Sequence, residues 1–347
     1  MAFAAVLGLF EDPEFDYAER RRWLKSHWHW TVPAAVVYLG AVYYGQRLMR
    51  DQKAYNLKKP LFLWNFVLAI FSTLGTIRTV PELLSVLREG GLHGAICDEG
   101  GLGRHGPFAQ WVWLFCVSKA VELIDTLFLV LRKRPVVFIH WYHHVTVLIF
   151  TWYTNSQAIS AGRWYLVMNY CVHSIMYAYY AIRTLGFLLP RFIPMCITGL
   201  QVTQMLVGFW VTLYAAARVW DGPSAPGGRC QTTATNTIAG LTLYGSYFVL
   251  FFRLFLRSYF AKGAKKMEYV VNGNLANLGC KLNGGLTSNR LIKNGNHTMS
   301  RQHSANNHMN GSSCTTSSSV TDVKNLPTGG QCNGHPPSYD TSHLKCN

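Results

Sequence analysis

The sequence predicts an all-α membrane protein that crosses the bilayer seven times and ends in a disordered tail. Of its 347 residues, 50% are hydrophobic and only 14% are charged, whereas soluble domains carry about 25% charged residues. Seven apolar runs each reach the roughly 20 residues that a helix needs to cross a bilayer. The net charge of +16 lies mainly in short basic clusters between these runs. Such clusters are typical of cytoplasmic membrane loops, so nucleic acid is not the expected partner.

Composition divides the chain into three segments. Residues 1–30 mix acids, arginines and tryptophans, which predicts a segment at the lumenal membrane surface. Residues 31–262 form one domain of seven spans, interrupted by a glycine-rich loop at 89–106. Residues 267–347 are rich in Asn, Ser, Gly and Thr and cannot bury a core, so we expect disorder there. The expected spans cover approximately residues 31–49, 60–84, 108–131, 136–153, 163–182, 192–217 and 234–260.

The basic connections indicate the orientation of the chain. Connections at 47–59, 132–134, 183–191 and 262–266 alternate correctly with seven spans if all four are cytosolic. The positive-inside rule then leaves the N-terminus outside and the C-terminus in the cytosol. The basic run at 20–25 disagrees with this orientation.

Two cysteines fall on the non-cytosolic side of this topology. Cys97 and Cys230 stand in separate hydrophilic loops on that face, and no other cysteine competes there. An oxidising lumen would allow a disulfide between them, which we expect. The alternative is a pair of unrelated free thiols.

The strongest chemical pattern is a set of histidines inside apolar spans. His140, His143 and His144 share one helical face at i, i+3 and i+4, and His173 lies in the next span. Imidazole is costly to bury in a membrane unless it is used. One alternative is a metal site, as in membrane di-iron desaturases and hydroxylases, but four histidines are few for two irons. The other is an imidazole acting as nucleophile or general base, without metal.

Polar residues in neighbouring spans could support these histidines. Lys119 and Glu122 are spaced to form an ion pair that ties helices together. Asp125 is then left to hydrogen-bond an imidazole and set its tautomer, and Asn169 shares a face with His173. Two further polar residues, Gln201 and Gln204, either join helices by hydrogen bonds or line a polar tunnel.

These motifs together resemble the fatty acid elongases, the ELO family. The resemblance rests on Lys119-x-x-Glu122-x-x-Asp125-Thr126, the box His140-Trp-Tyr-His143-His144, the run Asn169-Tyr-x-Val-His173, and Gln201-x-x-Gln204, in this order. It covers roughly residues 58–262. The His-Trp-Tyr-His-His box, with Lys-Pro-Leu-Phe-Leu-Trp at 59–64, looks most like the branch that lengthens saturated, palmitoyl-class chains.

The resemblance implies an endoplasmic reticulum enzyme with six of seven helices around a closed-ended acyl tunnel. It would be a 3-oxoacyl-CoA synthase, joining an acyl-CoA to malonyl-CoA with loss of carbon dioxide and without a cofactor. By position, His143 is the nucleophile and His173 its partner, while His140 and His144 orient them. Residues on the sixth and seventh spans are expected to set the tunnel depth.

Partners follow from the same chemistry. Membrane lipid, acyl-CoA, malonyl-CoA and the reductases and dehydratase of an elongation cycle are expected, and a homo-oligomer is left open. Coenzyme A needs cations for its phosphates, for which the candidates are Arg132, Lys133, Arg134 and Lys262. Each of these cations could instead serve only as a topology signal. A seven-span receptor or lipid transporter with a structural polar core is the non-enzymatic alternative.

Overall fold

The computed structural model describes residues 15–97, 107–220 and 230–260, and all of its regular structure is helical. The predicted tail and Lys262 lie outside these ranges. A 3-10 turn, Trp28–Trp30, follows the first helix. The helices are α1 (Tyr17–His27), α2 (Thr31–Leu48), α3 (Lys58–Cys97), α4 (Pro107–Val121), α5 (Ile124–Leu131), α6 (Phe138–Gln157), α7 (Gly162–Thr184), α8 (Phe192–Trp220) and α9 (Ala234–Tyr259).

Three helices in the described ranges, α3, α8 and α9, combine the length and the hydropathy of a membrane span. The other expected spans correspond to shorter or more polar helices: α2, the pair α4 and α5, the histidine-bearing α6, and α7. The prediction of an all-helical membrane protein is therefore confirmed at this level.

The expected third span, 108–131, is interrupted. α4 ends at Val121 and α5 begins at Ile124, with Glu122 at the break. The Glu122 carboxylate accepts hydrogen bonds from Lys119 Nζ (2.7 Å) and Ser118 Oγ (3.0 Å) on the preceding turn. The backbone N–H of Leu123 donates to Ala120 three residues back (3.3 Å), so the turn tightens here.

The glycine-rich loop begins later than the sequence suggests. α3 continues past Pro81 and past the expected end near residue 84, as far as Cys97. Only Gly91 leaves the helical conformation, with φ 59° and ψ −162°. Because a side chain at that φ/ψ is strained, glycine lets α3 kink and continue.

Helices α3 and α7 pack closely, and α7 carries His173. A Cβ atom at Gly75 on α3 would lie 2.6 Å from the ring of Tyr170, so only glycine permits this approach. Nearer the other end of α7, Arg163 donates to both carboxylate oxygens of Glu82 on α3, at 2.9 and 3.1 Å. This bidentate pair and the glycine contact fix the helix that presents His173.

The N-terminal helix α1 docks on the end of the histidine helix. Asp16 caps α1 by accepting from the backbone of Ala18 at 2.8 Å. The Arg21 guanidinium donates to the carbonyls of Gln157 (3.1 Å) and Ser156 (3.4 Å) in the last turn of α6. A cation at a helix C-terminus stabilises the otherwise unpaired carbonyls. One arginine of the basic run that disagrees with the positive-inside rule therefore has a structural use.

A disulfide closes the same end of the molecule. Cys97 and Cys230, the expected pair, are bonded across a sequence separation of 133 residues. The N–H of Gln231 donates to Cys97 O (3.0 Å), and the N–H of Ser160 donates to Gln231 O (3.2 Å). The end of α3, the turn between α6 and α7, and the segment before α9 are thus joined.

Removing the disulfide should lower the stability of the fold. For a Cys97→Ser, Cys230→Ser double variant we expect a loss of about 2–5 kcal/mol, since the bond closes a long loop. The melting temperature in detergent measures this, with Cys196→Ser as the control because that free thiol is exposed. Equal melting temperatures for the double variant and the control would contradict the expectation.

The contact between α1 and α6 should also be measurable. Arg21→Gln should cost about 0.5–2 kcal/mol, because the last carbonyls of α6 lose a cationic donor. Arg22→Gln is the matched control, since that side chain is exposed on the same helix. Melting curves in detergent compare the two, and a loss as large in Arg22→Gln would show that the cap is unimportant.

Candidate active site

Four buried polar side chains form a closed ring between α4 and α7. Lys119 Nζ donates to Glu122 Oε1 (2.7 Å) and to Asn169 Oδ1 (2.8 Å). Asn169 Nδ2 lies 3.1 Å from His173 Nε2, and His173 Nδ1 lies 3.8 Å from Glu122 Oε2. The predicted pairing of Lys119 with Glu122 is therefore present, and it extends to the histidine.

The ring determines the tautomer of His173. Lys119 can only donate, so the Asn169 atom facing it is the amide oxygen and the amide NH₂ faces His173. His173 Nε2 must then accept, which leaves the proton of the neutral ring on Nδ1, facing Glu122. The histidine is held with one defined nitrogen protonated.

Asp125 does not play its predicted part. Trp64 Nε1 donates to Asp125 Oδ1 (2.5 Å), and the Tyr177 hydroxyl donates to Oδ2 (2.8 Å). Both oxygens are thus occupied by α3 and α7, so the expected hydrogen bond from Asp125 to an imidazole is wrong. The neighbouring Thr126 makes it instead, with its hydroxyl 2.9 Å from His140 Nε2. Thr126 also bonds the Tyr38 hydroxyl of α2 at 2.8 Å.

The three histidines of α6 have different surroundings. The rings of His140 and His144 lie 4.5 Å apart. His144 is buried, and its Nδ1 has no hydrogen-bond partner among the described residues. The His143 ring instead lies 5.1 Å from that of Tyr247 on α9. The Tyr247 hydroxyl is held by Thr146 Oγ1 at 2.5 Å.

His143 opens onto a cavity of about 40 Å³ between α4, α6, α7, α8 and α9. It is the one histidine on the wall, and Asn169 of the buried ring also lines it. The same space is therefore bordered by His143 and by the group that holds His173. The other lining residues are Phe115, Val147, Phe150, Thr151, Thr154, Asn155, Gly162, Tyr165, Gln204, Met205, Leu243, Tyr244 and Tyr247.

The two glutamines of α8 divide between the two predicted roles. Gln204 is buried and lines the cavity. Gln201 Nε2 lies 3.3 Å from Met176 Sδ on α7, which joins the two helices.

Three contributors were not predicted from the sequence: Trp64, Tyr177 and Tyr247. Trp64 and Tyr177 bind Asp125 from helices distant in sequence, and Tyr247 reaches His143 from α9. The available signal is a side chain with a polar tip inside an apolar run, which buries well only beside a partner. That signal does not say which partner.

The basic residues after α5 differ in whether they have partners within the protein. Lys133 Nζ donates to the carbonyls of Arg50 (2.8 Å) and Gln52 (3.0 Å), so it ties two loops together. In the part of the chain that the structure describes, neither Arg132 nor Arg134 pairs with a carboxylate. Partial burial and the nearby charge of Arg134 lower the pKa of Arg132. Adjacent guanidinium groups without an acid are suited to an anion.

Metal binding would need a different arrangement of side chains. Within residues 15–97, 107–220 and 230–260, no three His, Cys, Asp or Glu side chains group as metal ligands. The ring of Lys119, Glu122, Asn169 and His173 includes an ammonium group, which repels a cation. The described geometry fits hydrogen bonding and proton movement.

Comparison with known proteins agrees with these motifs. The family described as ELO, the GNS1/SUR4 family, matches residues 23–267. A very long chain fatty acid elongase 6 of Drosophila melanogaster is 41% identical over 254 residues, covering 73% of this chain and 79% of the relative. Very long chain fatty acid elongase 3 of Homo sapiens is 38% identical over 252 residues, covering 72% and 91%. The elongase 6 of Gallus gallus is 38% identical over 255 residues, covering 73% and 93%. The chain therefore belongs to the ELO family.

Proposed function

We propose that the protein is a very-long-chain 3-oxoacyl-CoA synthase that condenses a palmitoyl-class acyl-CoA with malonyl-CoA. This is the first step of fatty acid elongation, and the enzyme is an acyltransferase. The relatives named as elongases support the activity. The observation that carries the proposal is the position of His143, on a largely apolar cavity wall beside the ring that holds His173.

The reaction proceeds in two steps on His143. Its unprotonated imidazole nitrogen attacks the acyl-CoA carbonyl and the carbon–sulfur bond breaks. The CoA thiolate takes the N–H proton that the acylated imidazole loses, and it leaves as the thiol. Malonyl-CoA then loses carbon dioxide, and the resulting enolate carbon attacks the acyl-imidazole. A carbon–carbon bond forms as the carbon–nitrogen bond of the acyl-imidazole breaks, the released His143 takes a proton from solvent, and 3-oxoacyl-CoA is the product. No electrons are gained or lost overall, so the scheme needs no redox cofactor, and none of its steps uses a metal.

We assign to His173 the movement of protons in this scheme, through the ring of Lys119, Glu122, Asn169 and His173. Its Nδ1–H faces Glu122 and its Nε2 faces the Asn169 amide. A neutral histidine with a fixed tautomer can accept a proton from one species and return it to another. His140 and His144, whose tilted rings lie 4.5 Å apart beside His143, orient the box.

The proposed architecture is seven spans, six of them around a tunnel that opens to the cytosol. The seven correspond to α2, α3, the pair α4 and α5, α6, α7, α8 and α9. The disulfide supports a lumenal location for the far end, because disulfides persist in oxidising compartments. Arg21 bonds α6 near that end, which supports a lumenal segment 1–30.

The location of the protein follows from the same proposal. The multi-pass domain of residues 31–262 resides in the endoplasmic reticulum membrane, with the C-terminal tail, 267–347, in the cytosol. Arg132 and Arg134 bind CoA phosphates at the cytosolic mouth, whereas Lys133 is committed to the loop. The 3-oxoacyl product requires a reductase, a dehydratase and a second reductase to become a longer acyl-CoA, so these enzymes are partners. A homo-oligomer is compatible with this scheme.

Loss of His143 should abolish turnover. Purified protein given palmitoyl-CoA and malonyl-CoA, without oxygen or an electron donor, should release carbon dioxide and 3-oxostearoyl-CoA. His143→Ala should reduce that release by about 1,000-fold or more, as expected for a covalent nucleophile. The control is His29→Ala, an exposed histidine. Peptide mass spectrometry after incubation with palmitoyl-CoA alone should find the acyl group on His143.

Two outcomes would overturn the function. A requirement for oxygen and reductant would favour an iron oxidase, and undiminished lipid handling by His143→Ala would favour a transporter or receptor.

The arginine pair should act on the CoA moiety alone. Arg132→Gln or Arg134→Gln should raise the KM for palmitoyl-CoA by about 3- to 10-fold, because a charge-assisted contact with phosphate is lost. Lys53→Gln, exposed on the preceding basic connection, is the control. Palmitoyl-pantetheine lacks these phosphates, so its KM should be unchanged in all three variants. An equal rise in KM for both substrates would assign the arginines a structural role.

A further inference from the structure

The cavity at His143 follows the histidine helix towards the disulfide. The lining residues contributed by α6 all lie on one face. They are His143, Val147, Phe150, Thr151, Thr154 and Asn155. From His143 to Asn155 is 12 residues of helix, or about 18 Å at about 1.5 Å per residue. The cavity thus has a reactive end and a far end that α6 holds at a fixed separation.

The turn between α6 and α7 lies beside the far end, between the lining residues Asn155 and Gly162. Its residues, Ala158, Ile159, Ser160 and Ala161, are all buried. The Ser160 N–H donates to the segment that follows Cys230, and Arg21 holds the last carbonyls of α6. The turn is therefore braced from outside the cavity and cannot easily recede from a chain that reaches it.

Gly162 follows this turn and lines the cavity near its far end. A Cβ atom built there meets only Ile159 Cγ1, at 3.7 Å, which is an ordinary van der Waals contact. Its φ lies outside the left-handed range, so the backbone does not require glycine either. Gly75 differs in the first respect, since its missing side chain makes room for Tyr170. At Gly162 the missing side chain leaves room in the cavity.

The axial distance corresponds to a definite chain length. An extended acyl chain advances about 1.3 Å per carbon, from a carbon–carbon bond of about 1.5 Å at a tetrahedral angle. A distance of about 18 Å accommodates about 14 carbon–carbon bonds, close to a palmitoyl chain attached at His143. The cavity volume of about 40 Å³ is much smaller than the volume of such a chain. Flexible wall residues such as Met205 and Leu243 must therefore change rotamer to admit the chain. The braced end does not share that freedom.

We propose that Gly162 and Asn155 set the longest acyl chain that the enzyme accepts, with Gly162 providing space for the terminal methyl group. This proposal rests on the condensing activity proposed above. It assigns the measuring residues to the last turn of α6 and the first residue of α7, on either side of the connecting turn, rather than to the sixth and seventh spans as the sequence suggested.

The test compares chain-length profiles of full-length protein variants. Each is given lauroyl-, myristoyl-, palmitoyl-, stearoyl- or arachidoyl-CoA with malonyl-CoA, and kcat/KM is taken from carbon dioxide release. Gly162→Leu should lower kcat/KM for palmitoyl-CoA relative to lauroyl-CoA by about 10- to 100-fold, because the added side chain occupies the site of the last carbons. Gly162→Ala should shift the profile in the same direction by less.

A variant that enlarges the far end should move the profile the other way. Asn155→Ala should raise kcat/KM for stearoyl-CoA relative to palmitoyl-CoA by about tenfold, since more methylene groups can be buried. The matched control is Gly199→Leu on α8, where a Cβ meets nothing within 4 Å and which is not on the cavity wall. Its profile should equal that of the wild type.

The outcomes separate this proposal from the activity on which it rests. If the wild-type protein condenses none of the five substrates, the proposed function fails. If the wild type condenses palmitoyl-CoA but Gly162→Ala and Asn155→Ala lower all chain lengths equally or leave the profile unchanged, the measuring role is refuted. Should Gly162→Leu lose its melting transition, the two alanine variants decide the matter.

Discussion

The structure depends on an ion pair, Lys119 and Glu122, buried in a membrane protein. Each charge alone would cost several kcal/mol to remove from water, so neither side chain can lose the other without destabilising the fold. The pair is stable because its remaining hydrogen-bonding capacity is also used, by Ser118 on one side and Asn169 on the other. Asn169 also contacts His173, so the ion pair is part of the ring that contains His173. The contacts that stabilise the pair therefore also fix the position of His173.

The same short stretch joins four other helices. Lys119 binds α7 through Asn169, Asp125 binds α3 through Trp64, and Thr126 binds both α2 and α6. The break between α4 and α5 lies in the middle of this stretch. In a continuous helix, side chains point in the same direction about every 3.6 residues. The tightened turn changes this spacing, so that adjacent polar residues reach different neighbouring helices. The stretch from Lys119 to Thr126 thus joins several helices, and its side chains also contact His140 directly and His173 through Asn169.

Much of the fold follows from the sequence, and the parts that do not are instructive. Apolar runs of adequate length locate most helices to within a few residues, because burial in lipid leaves the backbone no alternative to a helix. The break at Glu122 and the extension of α3 to Cys97 depend on side-chain contacts and on one glycine conformation, which hydropathy does not register. Spacing along one helix correctly paired Lys119 with Glu122 and Asn169 with His173. Asp125 was misassigned because its partners, Trp64 and Tyr177, come from other helices. His143 was chosen within the box from the family resemblance, because spacing alone does not separate the three histidines, and it is the box histidine that lines the cavity.

The two ends of α6 have different structural requirements, and different contacts satisfy them. On the proposed function, a nucleophile near its start has to meet substrates that arrive from water, so that end needs exchangeable surroundings and nearby cations. Near its end, a hydrocarbon chain has to be stopped, so that end needs immobility. The contacts are consistent with this division: Arg132 and Arg134, in the loop before α6, have no carboxylate partner among the described residues, whereas Arg21 and the disulfide-linked segment hold the far turn. A helix is stiff along its axis, so fixing one end relative to the scaffold also fixes the distance to the other. On the proposal that α6 carries the nucleophile, the N-terminal helix and the disulfide, though remote from the histidines, contribute to selectivity through the same rigid element.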